Sequence, residues 1–117
     1  MIKFNPTHAQ KEHVDAVINE WQTMKNYIMD AHEKRNTDTK EYMLRSLALY
    51  EKFLTQASDT DGFDADKLTE YELLPLNGEE RYLFIKKNLG QYVAFCQLGE
   101  LFEETKKKIA RLRIKSK

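Results

Sequence analysis

Cysteine is almost missing from this chain: among its 117 residues only Cys96 carries a thiol. A lone thiol cannot close an internal disulfide, which suits a reducing cytoplasm, the expected location. There are four glycines, and no set of them is tightly spaced between a strand and a helix. Dinucleotide-binding and P-loop fingerprints are therefore missing. No run of about 18 uncharged apolar residues occurs, so no membrane span is expected. The opening MIKFNPTHAQ lacks the apolar core and small-residue cleavage site of a secretory signal. Internal repeats, low-complexity tracts and alternating strand-like runs are also absent, which points to an all-α chain.

Charge is plentiful and unevenly placed. Residues 1–105 carry 12 Lys/Arg against 19 Asp/Glu, whereas residues 106–117, KKKIARLRIKSK, carry seven Lys/Arg and no acid. Formal net charge is zero, but it joins an acidic body to a basic end, and any partner must answer to that asymmetry. Large aliphatic and aromatic residues recur throughout, which excludes general disorder. The length fits one domain spanning 1–117, able to bury a core without staples.

Helical periodicity organises the chain. Thr7 with Gln10 has the spacing of a capping box. Val14, Val17, Ile18, Trp21, Met24, Ile28 and Ala31 then recur at intervals of about 3.6 residues, giving a helix over 7–34. KRNTD breaks that stripe. Asp38 with Glu41 opens a second helix over 38–57, striped by Met43, Leu47, Tyr50, Leu54 and Ala57, and the two form an antiparallel hairpin. A loop, SDTDGFDAD, follows. KLTEYELLPLN holds a helical turn near 68–71 before Pro75 pushes Leu74 toward an extended shape. Asn77 with Glu80 makes a third box, starting a short helix over 78–88. Its apolar residues Tyr82, Leu83, Phe84 and Ile85 occupy more than one side, as in a helix lying between others.

GQYVAFCQLGELFEE holds two glycines, the cysteine and many large apolar side chains. Gly90 is placed to close the third helix in the left-handed conformation. A fourth helix over 91–115 follows, with Ala94, Phe95, Leu98, Leu101, Phe102, Thr105, Ile109 and Leu112 on one stripe. Glu100, Glu103, Glu104, Lys107 and Arg111 occupy the other side. Gly99 stands at the stripe's margin, where a glycine costs about 1 kcal/mol against alanine and invites a close neighbour. The stretch is a core helix of a compact antiparallel bundle of about four helices.

PLNGEERYLFI followed by GQYVAFCQLGELFEETKKK resembles the YpoC-like family of small proteins from Gram-positive bacteria of the Firmicutes. The likeness covers 75–108. It implies an all-α cytoplasmic protein and transfers no catalytic residue. It draws attention to Glu80, Arg81 and Gln97, polar groups inside the recognisable pattern. A partly buried Arg81 needs a carboxylate from another helix, and such a pair more naturally fixes geometry than performs chemistry.

Candidate chemistry is sparse. Cys96 lies on the outer flank of the last helix with His32 its nearest histidine in sequence, far along the chain, an inert half-buried thiol by expectation. His8, His13 and His32 lack the Glu-x-x-His and H-E-x-x-H spacings of metal sites. Asp59, Asp61 and Gly62 fit a calcium loop at three positions, but Ala57 and Leu68 fall where carboxylates are required. Trp21, central on its stripe, is expected in the core. No catalytic, cofactor or metal constellation emerges. The expected function is a non-enzymatic protein-interaction or adaptor module with an unidentified protein partner, self-association being a further option. The alternative is a nucleic-acid-associated protein using its basic end. The candidate surface comprises Arg81, Gln97, Lys106, Lys107, Lys108, Arg111, Arg113 and Lys115.

Overall fold

The structure, a computed structural model, describes residues 1–35 and 38–115. Part of the KRNTD break, Asn36 and Thr37, and the last two residues of the basic end, Ser116 and Lys117, lie outside the described residues. Four α-helices and one 3-10 helix follow in order: α1 (Lys11–Glu33), α2 (Thr39–Gln56), the 3-10 helix (Ala65–Glu70), α3 (Gly78–Lys87) and α4 (Tyr92–Lys115). The described residues form no regular strand, so the all-α reading holds.

Packing directions follow from side-chain contacts. Tyr27, late in α1, stacks on Tyr42, early in α2, at 5.8 Å between ring centroids. His32 meets Tyr92 edge-on at 5.4 Å, while Trp21 stacks on Phe102 at 4.6 Å. Both α2 and α4 therefore run antiparallel to α1. Phe102 also receives Tyr50 edge-on at 5.2 Å and lies near Phe53 at 6.1 Å. These four rings, from three helices, are the centre of the core, and aromatic pairs at such spacings add to their area burial. The apolar stripes of α1, α2 and α4 are buried almost throughout; Met24 and Leu112 are only partly covered. One polar pair lies in this core, Tyr50 Oη and Thr105 Oγ1 at 2.8 Å. Burial pushes the Tyr50 phenol up, with the Thr105 hydrogen bond opposing it.

Five local expectations are corrected. The first helix begins at Lys11, not Thr7. Asn5 is the residue that organises the turn before it: its Oδ1 accepts from Thr7 N–H at 3.0 Å and its carbonyl accepts from His8 and Ala9. Ala9 is buried, and Gln10 is extended. The chain must turn there because residues 2–5 form a strap across two loops. Ile2 pairs with Tyr71 and Phe4 with Ser58 through isolated bridges, and Ile2 exchanges hydrogen bonds with Glu70 and Glu72.

The third box does not form either. Asn77 adopts a left-handed conformation, φ 57°, and its side chain does not cap; its carbonyl accepts from Arg81 N–H. Asparagine tolerates that region better than most residues. Gly90, by contrast, has no positive φ. Asn88 closes α3, its amide nitrogen donating to the Phe84 carbonyl at 2.8 Å. Gly90 instead accommodates the Lys40 stem, whose Cε would lie 3.1 Å from an added Cβ.

Finally, α3 is peripheral. It packs on α4 and the 3-10 helix, burying Tyr82 and Ile85 and leaving Leu83 and Phe84 exposed. Tyr82 Oη donates to Glu51 of α2 at 2.5 Å. The helical turn expected near 68–71 is present as a 3-10 helix that starts earlier, at Ala65.

Candidate interaction surface

Arg81 is the most heavily coordinated side chain of the surface. It projects from α3 toward α4 and is only 17% exposed. Its Nη1 and Nη2 donate to the two Glu104 oxygens at 3.1 and 2.5 Å, a two-pronged pair. Nη2 also reaches Glu100 at 3.4 Å, Nε donates to Gln97 Oε1 at 3.2 Å, and Nη1 to the Leu76 carbonyl at 3.3 Å. Gln97, Glu100 and Glu104 follow one another at helical spacing on α4, so a single guanidinium grips two turns of that helix and the loop before α3. The expected need for a carboxylate from another helix is met. Glu104, assigned by periodicity to the solvent side, is the residue that meets it. Its hydrogen bonds to Arg81 hold its carboxyl below the usual range and push the guanidinium up.

Around this clamp, α3 and α4 leave a seam. Glu80, Arg81, Phe84, Val93 and Gln97 line a shallow groove with a cavity volume of about 290 Å³. Phe84 is 38% and Val93 47% exposed. Beyond the clamp lies a second groove of about 660 Å³, bordered by Pro75, Leu76, Glu104, Lys107, Lys108 and Arg111. Leu76 is 84% exposed there. The seam thus has an apolar end, a fixed polar centre and a basic end. Sequence reasoning missed Leu76, Phe84 and Val93. The excess of apolar residues around α3 was the available signal.

The other candidate residues fall on α4. Lys108 Nζ donates to the Leu74 carbonyl at 3.1 Å. Lys106, Lys107, Arg111, Arg113 and Lys115 form no ion pair among the described residues, whose four such contacts are Lys34–Asp30, Arg45–Glu41, Arg81–Glu100 and Arg81–Glu104. Lys107 lies close enough to Glu104 to help lower its carboxyl pKa, without forming a direct ion pair. Lys107 and Arg111 border the seam, but Lys106, Arg113 and Lys115 are not among its lining residues.

A third groove, about 470 Å³, gathers His8, His13, Glu20, Lys52, Thr60 and Asp61. Its ring and hydroxyl contacts are local: Thr60 Oγ1 donates to the Gly62 carbonyl, and His13 Nδ1 lies 3.2 Å from the His8 carbonyl. No nucleophile is hydrogen-bonded to a base there. Among the described residues, no group of three His, Cys, Asp or Glu could hold a metal ion. His32 packs against Tyr92 and Phe95, Trp21 is in the core, and Cys96 is exposed rather than half-buried. No helix among the described residues is long and apolar enough to cross a membrane.

A family model described as YpoC-like protein matches residues 11–117. The match takes in the α1–α2 hairpin as well as the 75–108 segment. No curated protein and no solved structure matches.

Proposed function

The chain belongs to the YpoC-like protein family, and from that premise and the α3–α4 seam we propose that it is a cytoplasmic, non-enzymatic interaction module. The seam is its docking surface, and its partner is a protein segment carrying apolar and acidic side chains together. One observation carries this reading. Phe84 and Val93 stand exposed beside an arginine that is already held, with Lys107, Lys108 and Arg111 bordering the far end. A clamped Arg81 keeps the apolar end in a fixed shape, so little ordering is needed when a partner arrives. Lys107 and Arg111 favour acidic partners and speed their approach. The non-enzymatic part is supported by the local, backbone-directed contacts of the polar groove around His13.

Capture from a lysate, with and without nuclease, tests the proposal. A nuclease-resistant protein should be retained by the wild-type chain and lost from the Phe84→Ser/Val93→Ser variant. Retention by that variant would defeat the reading. The free cations of α4 favour a second reading, nucleic-acid association. That reading expects nuclease to abolish capture and binding to weaken steeply with salt.

A further inference from the structure

The seam's α4 wall has a regular spacing. Val93, Glu100, Lys107 and Ile114 stand seven residues apart, and Gln97, Glu104 and Arg111 fall between them at intervals of four and three. Such positions lie one above another along a helix, and a second helix seats its side chains between them at the same spacing. Both ends of the stripe are apolar, with Val93 47% and Ile114 72% exposed. Its middle carries two charged blocks. The Glu100 side chain is 64% exposed, Gln97 and Glu104 are held by Arg81, and Lys107 and Arg111 are exposed. The order along α4 is apolar, acidic, basic, apolar.

This spacing fixes the shape of an occupant. Successive stripe positions are about 5.3 Å apart, and the whole stripe is about 32 Å long, at the rise of an α-helix. Side chains on one side of an extended segment repeat about every 6.6 Å, so a strand falls out of step within a few positions. A helix of about three heptads keeps step throughout. Charge fixes its order: basic side chains against Glu100, acidic ones against Lys107 and Arg111, and apolar ones at both ends. Acid before base is the better order within a helix, so the occupant runs antiparallel to α4. The α4 of a second copy has that order too. A two-fold that pairs Glu100 with Lys107, however, sets Glu104, 44% exposed, against its own copy. A different chain with a neutral residue at that level avoids the repulsion. We infer that the segment docking on the seam is an amphipathic helix of another protein, antiparallel to α4, whose contact face reads apolar, acidic, basic, apolar from its N-terminus.

This inference rests on the seam reading, and its test separates the two. The probes are synthetic peptides of about three heptads, one with this order and one with the acidic and basic blocks exchanged, titrated with the full chain by fluorescence anisotropy. The matched peptide should bind about tenfold tighter or more. Exchange of the blocks also weakens the peptide's own helix, so the Lys107→Glu/Arg111→Glu variant is the control. It should abolish the preference while circular dichroism shows its helices intact. Proline at the middle of the matched peptide should weaken binding about tenfold or more, because it breaks a helix. Equal binding of the two orders, a preference that survives the double reversal, or an undiminished proline peptide would overturn the inference and leave the seam reading in place. A dimer of the chain alone in sedimentation, lost on Lys107→Glu, would make a second copy the occupant and overturn it as well. If no peptide binds, the seam reading falls with the inference.

Discussion

Arg81 decides most at the scale of single residues. Replacing it with alanine removes a two-pronged carboxylate pair and leaves Gln97 Oε1 without its donor. Charged hydrogen bonds contribute about 1.5–3 kcal/mol when well shielded. Glu104 keeps 44% exposure, so a loss of about 1–2 kcal/mol in urea denaturation is expected. The pair also sets a pH dependence. Arg81 lowers the Glu104 pKa in the folded state, so the unfolded chain binds that proton first as pH falls. The pair's contribution is complete above the ordinary carboxylate range and is lost as pH falls through the folded value. The stability difference between wild type and Glu104→Gln should therefore shrink between about pH 7 and about pH 3. A difference that grows on acidification would reverse the assignment.

Glycines give a second residue-scale comparison. Gly99→Ala places a methyl in ordinary contact with Trp21 and should raise stability by up to about 1 kcal/mol, measured on the monomer at low concentration. Gly78→Ala would put its Cβ within 2.4 Å of Leu74 Cγ, so it should destabilise unless Leu74 moves aside.

Among the elements, α1, α2 and α4 were legible because each keeps an unbroken stripe of large apolar residues over several turns. That pattern reports which side is buried. Trp21→Ala, at the centre of those stripes, should cost about 3–5 kcal/mol in thermal or urea unfolding. The short α3 was less legible. Apolar side chains on more than one side of a ten-residue helix fit a central position, yet Leu83 and Phe84 of α3 stand exposed. Periodicity identifies which residues share a side and is silent on whether another helix covers it. The same limit placed Glu104 in solvent when Arg81 lay over it. The start of α1 and the capping box of α3 failed for a different reason, although α3 itself starts at Gly78 as expected. Thr7 and Asn77 have good capping chemistry, but the strap at Ile2–Asn5 is set by distant contacts and Asn77 takes a left-handed conformation in which its side chain does not cap. A direct check on α3 is to compare two of its neighbouring residues. Ile85→Ala should cost about 2–5 kcal/mol, and Phe84→Ser only about 0.5 kcal/mol.

Charge is unevenly distributed over the whole molecule. An acidic body and a basic helix end share one chain, and no ion pair among the described residues joins them. That separation was visible in the sequence; the apolar groove beside it required the third dimension, because Leu76, Phe84 and Val93 come from three different segments. In the proposed function, this seam is where a protein partner binds. Amide hydrogen exchange on the captured, nuclease-treated complex measures that most directly. Protection gained at residues 76–84, 93–97 and 107–111 is the predicted result. Protection confined to residues 8–20 and 52–61, with the seam exchanging as in the free protein, would contradict it.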